Sequence, residues 1–174
     1  LIGSSNFASK RNVIRYFKFF NQDQAVIKVD LTALLTASEK MANEKTGAII
    51  VLERGNNLDF IKNTGDEANI ELSTQILETI FFKNSPLHDG AIIIKDNQII
   101  ATRVVLPVSD STAIPSKFGL RHRAGFGISE KTDALVLVIS EQSGEISYIK
   151  DGGSCKFKNT EDLRRMITED LSII

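Results

Sequence analysis

The chain has 174 residues, 42% hydrophobic and 25% charged, which is typical of one globular domain with a substantial core. Twenty-two acidic side chains against twenty-one Lys and Arg give a formal net charge of -1, which excludes the broad positive field of nonspecific nucleic-acid binders, so we expect no nucleic-acid partner. The single cysteine, Cys155, excludes an intramolecular disulfide and a multi-cysteine metal site.

Residues 1–29 form a basic and aromatic segment. Its stretch "KRNVIRYFKFF" places Lys and Arg among Tyr and Phe, a composition typical of segments against the cytoplasmic surface of a membrane. An amphipathic helix packing on its own domain or on a partner fits equally well. The only methionines are Met41 and Met166, so we expect a longer protein whose N-terminal region precedes Leu1. No run approaches the roughly eighteen apolar residues of a membrane helix, so we expect this fragment itself to be soluble.

Regular structure is predicted from residue 30 onward. Apolar residues at helical spacing predict a helix over 30–46, with Asp30 as its cap and Gly47 as its stop. The β-branched run after it predicts a buried strand over 47–53. The polar, turn-rich stretch 54–69 is typical of a surface loop.

In the second half of the chain, β-rich runs and turn residues predict hairpins that lie between helices. A second helix over 72–81 precedes a hairpin over 91–106, whose turn falls at Asp-Asn. A further strand pair is predicted over 134–141 and 145–150, and an amphipathic helix begins at Thr160. These elements predict a single α/β domain over 30–174, a central mixed twisted β-sheet with hairpins, flanked by α-helices.

The two histidines each lie in a polar cluster. In "LHDGA", Gly90 allows a ligand to approach the backbone and Ala91 adds little bulk, so a phosphate could reach main-chain N–H groups. Asp89 could serve as a metal ligand or as the base that accepts a hydroxyl proton. His88 could serve as a second metal ligand or as a group that orients Asp89. An ordinary Asp-Gly turn before a strand would give the same letters.

The second cluster, "GLRHRAGFG", surrounds His122. Arg121 and Arg123 offer planar, permanently charged forks suited to phosphate oxygens, and the nearby glycines are compatible with a helix N-terminus. A solvated basic turn is the alternative. Together the two clusters predict a site for a metal and a phosphate, and the absence of a G-x-x-x-x-G-K-[ST] motif excludes a P-loop.

With "SPLHDGA" and "GLRHRAGFGISE", the sequence resembles the diadenylate cyclase (DAC) domain family, whose hallmark motifs are D-G-A and R-H-R. "GAIIVLER", "VLPVS" and "VISEQSG" follow that family's order, so the resemblance spans roughly residues 30 to 150, and it is strongest to the membrane-anchored CdaA type. Two positions depart from the family, Leu120 where many members have Thr and Gln142 where many have Glu.

The resemblance implies that two ATP molecules condense to cyclic di-AMP and two pyrophosphates across a face-to-face homodimer, with Mg²⁺ or Mn²⁺. The implied catalytic residues are Asp89, Gly90, Ala91, Arg121, His122 and Arg123. The implied substrate-binding residues are Gly90, Leu106, Leu120, Arg121, Arg123, Ser140 and Glu141. The implied metal ligands are His88, Asp89 and Glu141.

The resemblance also implies a full-length protein anchored at the cytoplasmic face of the cell membrane. Two other functions fit the same motifs. The first is a module that binds an adenine nucleotide or cyclic di-AMP without chemistry, which has little use for Asp89. The second is a metal-dependent phosphodiesterase, which would need further metal ligands.

Overall fold

The computed structural model describes residues 27–173, so the predicted segment 1–29 lies almost wholly outside the described residues. None of the helices formed by residues 27–173 has the length and apolarity needed to cross a bilayer. The helices are α1 (Leu31–Glu44), α2 (Asp59–Lys62), α3 (Thr74–Phe81), α4 (Leu120–Lys131) and α5 (Thr160–Ser172). The strands are β1 (Ala48–Leu52), β2 (Asp66–Glu71), β3 (Ala91–Lys95), β4 (Gln98–Val104), β5 (Leu135–Ile139), β6 (Ile146–Lys150) and β7 (Gly153–Cys155).

The seven strands form one mixed sheet in the order β2-β4-β3-β1-β5-β6-β7. The central strands β1 and β3 are parallel, and every other neighbouring pair is antiparallel. The hairpin between β3 and β4 turns at Asp96, which takes the left-handed φ of 54° that its residue type tolerates. The predicted fold class, a mixed sheet with hairpins and flanking helices, is confirmed.

Two apolar cores lie on opposite faces of the sheet. Alternation along the strands sends Ile50 and Leu137 to the face covered by α1, α3 and α5. Their neighbours Val51 and Val138 point to the face covered by α2 and α4. Burial on both faces explains why the central strands are continuous apolar runs.

Two local predictions are corrected, and one further strand is found. The stretch 54–69 is not all loop, since it contains α2 and the start of β2. The first helix ends at Glu44 and is capped by Lys45, which adopts a φ of 53°, so Gly47 is not its stop. The stretch "DGGSC", which has the composition of a loop, contributes the edge strand β7.

The sheet also gathers the two sequence clusters. Because β1 and β3 are parallel and β5 is antiparallel to β1, the starts of β1 and β3 share an edge with the end of β5. The loop of Asp89 and Gly90, which precedes β3, therefore lies near Ser140 and Glu141, which follow β5.

Candidate active site

A cleft of about 360 Å³ opens at this edge, between the loop before β3, the loop after β5 and the first turn of α4. Its walls contain the D-G turn, the start of the R-H-R motif and the loop after β5. The lining residues are Asp89, Gly90, Lys117, Gly119, Leu120, Arg121, His122, Ser140, Glu141 and Gln142. The cleft thus brings together the two clusters that the sequence singled out, although they are separated along the chain by the β3–β4 hairpin.

Gly90 makes a turn that a side chain would prevent. Its φ is +84°, and a β-carbon there would lie 2.8 Å from both the carbonyl carbon of Arg103 and the oxygen of Val104. Arg103 itself has a φ of 52° at an irregular register between β3 and β4. The glycine therefore permits this close approach to β4 and leaves the Asp89 side chain 86% exposed at the mouth of the cleft.

His88 and Asp89 face each other through a ring nitrogen and a carboxylate oxygen. Nδ1 of His88 lies 2.6 Å from the carbonyl oxygen of Ser85, to which Nδ1–H donates, and this bond turns Nε2 toward Asp89. Nε2 lies 3.2 Å from Oδ1 of Asp89. Two lone-pair atoms at this separation fit a shared cation between them, so the pair is chemically suited to a metal.

The first turn of α4 offers uncapped backbone donors. Gly119 is its N-cap and supplies no side-chain hydrogen bond to the turn, so the N–H groups at the positive end of a 12-residue helix remain available to an anion. Leu120 is 72% exposed at this turn and brings no hydroxyl to the cleft.

Arg121 is the arginine of the R-H-R motif that lines the cleft. Its Nη1 lies 3.0 Å from Oε1 of Glu141, and its guanidinium lies over Gly47 at the start of β1. The ion pair orients the guanidinium, and the missing side chain at position 47 makes room for it.

His122 is buried between three elements. It is 6% exposed, its ring is stacked on Phe118 with centroids 4.5 Å apart, and its Nε2 lies 3.2 Å from Oγ of Ser147 on β6. Burial is the main cause that lowers the pKa of His122, and Lys117 and Arg121 lower it further while Glu145 opposes them. The imidazole is therefore neutral at pH 7.

Four predicted site residues lie outside the cleft wall, namely His88, Ala91, Leu106 and Arg123. Arg123 donates to the carbonyl oxygens of Ser109 and Ser111 at 3.3 and 3.2 Å, so it ties the loop before α4 to the helix. Leu106 and Ala91 are buried in the core beneath α4. Their assigned roles at a ligand remain predictions.

The loop after β5 lines the cleft opposite α4. Oγ of Ser140 accepts hydrogen bonds from the backbone N–H groups of Gln142 and Ser143, which fixes the loop's shape. Glu141 pairs with Arg121. Within residues 27–173, no group of three or more His, Cys, Asp or Glu side chains converges on a metal position, so the protein pair at positions 88 and 89 would need oxygens from a ligand.

Three residues that belong to neither sequence motif also shape this site. Lys117 lines the cleft beside Arg121, and Phe118 and Ser147 hold His122. The letters "SKFG", one residue before the R-H-R motif, are a signal for Lys117 and Phe118, since a cation and an aromatic ring so near the motif in sequence can reach the same cleft. Ser147 lies 25 positions away from His122 and carried no such signal.

Comparison with known proteins identifies relatives of this chain. A family model described as DisA bacterial checkpoint controller nucleotide-binding (DAC) matches residues 35–154. The diadenylate cyclase CdaS of Bacillus thuringiensis is 42% identical over 119 residues, which make up 68% of this chain and 59% of that protein. The cyclic di-AMP synthase CdaA of Bacillus subtilis is 39% identical over 140 residues, 80% of this chain and 48% of that protein.

The fold has a solved counterpart as well. A crystal structure of DacA from Staphylococcus aureus, a double cysteine mutant, matches with a TM-score of 0.78 at 36% identity, over 81% of this chain and 94% of that chain. The two curated relatives are longer, because the chain spans only 48% to 59% of their lengths.

Proposed function

The chain belongs to the DisA bacterial checkpoint controller nucleotide-binding (DAC) family, and on that premise we propose that it is a diadenylate cyclase. Two ATP molecules would give one cyclic di-AMP and two pyrophosphates. Each 3′-oxygen forms a bond to the α-phosphorus of the other nucleotide, each 3′-hydroxyl gives up its proton, and each α-phosphorus loses pyrophosphate.

One observation carries this proposal. The exposed carboxylate of Asp89 and the uncapped, cationic first turn of α4 with Arg121 line the same cleft. A base beside an anion-binding surface is what phosphoryl-group transfer requires, because that chemistry depends on positioning and on neutralising charge.

The residues divide this work. The N–H groups at the start of α4 and the guanidinium of Arg121 bind triphosphate oxygens, and Gly90 admits them close to the backbone. Asp89 accepts the proton of an attacking hydroxyl. Since a single cleft binds one ATP, the second hydroxyl comes from a nucleotide in a facing copy of the chain, and the working unit is a two-fold homodimer.

A divalent metal, Mg²⁺ or Mn²⁺, completes the proposal. When bound, it would neutralise phosphate charge during the displacement. His88 and Asp89 would hold it, with the remaining ligands supplied by phosphate oxygens and water, as Mg²⁺ prefers. Glu141 would approach the triphosphate through the same metal, as a further ligand, while it orients Arg121.

We further propose that the full-length protein is anchored at the cytoplasmic face of the cell membrane. The support is the basic and aromatic composition of residues 10–20, which lie outside the described residues. The domain boundary near residue 30 belongs to the same proposal, and the family match, which begins at residue 35, is compatible with it.

The test is to incubate the chain with ATP and either Mg²⁺ or Mn²⁺ and to identify nucleotides by chromatography with mass detection. We expect cyclic di-AMP and pyrophosphate in a 1:2 ratio, formed at a rate that rises more steeply than linearly with protein concentration. ATP binding without product under both metals would favour the nucleotide-binding module. Cleavage of added cyclic di-AMP would favour the phosphodiesterase.

Asp89→Asn tests the proposed base, because it replaces the carboxylate with an amide of nearly the same shape. The side chain is exposed, so the amide should leave the fold and ATP binding intact and abolish product formation. An active Asp89→Asn protein would remove the carboxylate from the mechanism.

A further inference from the structure

The buried histidine of the R-H-R motif has one hydrogen-bond partner in the described part of the chain, the hydroxyl of Ser147. Ser147 is itself buried at 8% exposure, and its Oγ has no other described partner. A buried hydroxyl proton needs an acceptor, because a buried donor left unpaired destabilises the fold. Nε2 of His122 is the acceptor that the structure supplies.

The other ring nitrogen is open. Nδ1 of His122 has no hydrogen-bond partner within residues 27–173, yet no buried side-chain nitrogen or oxygen in that range is left without one. Nδ1 must therefore be accessible to solvent, and His122 lines the cleft. The stacked ring of Phe118, tilted by only 13°, holds the imidazole plane.

The proton count then decides what His122 can do. A neutral imidazole carries one proton, and the nitrogen that accepts a hydrogen bond is the one without it. If the Ser147 hydroxyl donates to Nε2, the proton lies on Nδ1. Such an imidazole donates from Nδ1 without bringing a positive charge.

We propose that Ser147 is a positioning residue for the cyclase reaction, whose hydroxyl fixes His122 as the Nδ1–H tautomer so that this nitrogen donates to a phosphate oxygen in the cleft. The inference rests on the proposed function for the identity of the phosphate. The three side chains of the motif then have different roles. Arg121 contributes positive charge and Arg123 holds the loop before α4, whereas His122 contributes an oriented, neutral hydrogen-bond donor.

The tautomer can be measured directly. The chain has two histidines, so long-range ¹H–¹⁵N correlation spectra of protein labelled in the imidazole ring contain two spin systems, which His88→Asn assigns. We expect His122 to show the Nδ1–H pattern at neutral pH, and its Nδ1 resonance to shift when ATP is added. Ser147→Ala should mix or reverse the tautomers.

Kinetics provide the second readout. Ser147→Ala should lower kcat/KM for ATP about tenfold, the factor that corresponds to losing roughly one hydrogen bond, and Ser147→Thr should keep the wild-type value because it retains the hydroxyl. Ser154→Ala, on the neighbouring strand β7, is the matched control and should leave the rate and the tautomer unchanged. Equal melting temperatures among these variants would separate positioning from folding.

An Nε2–H pattern for His122 in the wild type would overturn the proposal, and so would a Ser147→Ala protein with an unchanged tautomer and unchanged kcat/KM. If the wild type makes no cyclic di-AMP, it is the proposed function that fails. In that case the spectra still test the role of Ser147. An Nδ1–H resonance that shifts with ATP supports the proposed contact with a phosphate, and one that does not shift refutes it.

Discussion

The guanidinium of Arg121 lies against the backbone of Gly47, so closely that a β-carbon at position 47 would stand 2.6 Å from Cζ of the arginine. Gly47 precedes β1 and Arg121 is in the first turn of α4, so this contact joins the sheet edge to the helix that faces the cleft. The ion pair with Glu141 completes the arrangement. The position of the arginine therefore depends on a residue that has no side chain of its own.

We expect Gly47→Ala to displace Arg121 and weaken ATP binding about tenfold, the loss of roughly one charge-assisted contact. The fold should survive, since the clash is with the end of a flexible side chain rather than with backbone. Isothermal titration with ATP and with adenosine checks this: affinity for ATP should fall, and affinity for adenosine should not. Gly153→Ala is the control, because a β-carbon there meets nothing nearer than 3.8 Å. Equal ATP affinity in both variants would show that Arg121 does not need its place over Gly47.

Lys117 supplies a second positive charge to the cleft. Of the R-H-R side chains, His122 is neutral and Arg123 is committed to two carbonyl oxygens, so the motif alone brings a single cation to this wall. Lys117 lines the same wall, with its Nζ 5.1 Å from the ring centroid of Phe118.

We expect Lys117→Gln to raise the KM for ATP about threefold to tenfold with little change in kcat, because an exposed cation strengthens binding by roughly 1 kcal/mol. The salt dependence of KM should become shallower as well. Lys156→Gln is the control, since Lys156 is an exposed lysine that lies outside the cleft wall. A KM and a salt dependence identical to those of the wild type would exclude Lys117 from nucleotide binding.

Local signals in the sequence were sufficient for much of the fold. The cap at Asp30, the turn at Asp96 and the apolar runs of β1 and β5 depend on neighbouring residues, and the structure confirms them. The strand β2 is an edge strand that pairs only with β4, and its mostly polar sequence "DEANIE" has just two apolar residues, Ala68 and Ile70, an alternation too short to predict a strand.

The helix α4 could not be predicted from apolar spacing, for a different reason. Residues 124–129 within it are all buried, so its middle turns have no polar face and no helical period that a sequence could reveal. The motifs predicted which residues would converge, and the cleft brings Asp89 and Arg121 together. The contacts that orient the R-H-R side chains, from Gly47 to Arg121 and from Ser147 to His122, connect distant parts of the chain and depend on the sheet order, which local patterns do not specify.

The depressed pKa of His122 predicts how stability varies with pH. In the unfolded chain this group titrates near 6.5, and burial lowers its pKa in the fold. Below pH 6.5 the unfolded state therefore binds more protons, and the free energy of unfolding should fall as the pH drops toward the folded pKa, by at most about 1.4 kcal/mol per pH unit from this group. Above that range the contribution should be constant.

Urea unfolding of the wild type and of His122→Gln, at a series of pH values from 7 downward, measures this contribution to the free energy of unfolding, since the variant lacks the titrating group. The charged neighbours are Glu145, Lys117 and Arg121, which both proteins share. The wild-type curve should be steeper between the two pKa values. Parallel curves would mean that His122 titrates alike in the folded and unfolded chain.

Tyr148 anchors a buried polar network on the sheet face opposite α4. Its hydroxyl donates to Oδ2 of Asp170 at 2.6 Å, and Lys150 reaches Oδ1 of the same carboxylate at 2.8 Å. Burial, together with the bond to Asp170, raises the pKa of Tyr148, so the phenol remains a donor throughout the accessible pH range.

We expect Tyr148→Phe to lower the free energy of unfolding by about 1–3 kcal/mol, because one oxygen of a buried carboxylate loses its donor. At this chain length the melting temperature should fall by about 2–4 °C for each kcal/mol. Cyclase turnover should not change, since the network lies across the sheet from His122. A double-mutant cycle with Asp170→Asn isolates the pair: the loss on Tyr148→Phe should shrink when the partner is neutral. Equal losses in both backgrounds would assign the stability to packing of the ring rather than to its hydroxyl.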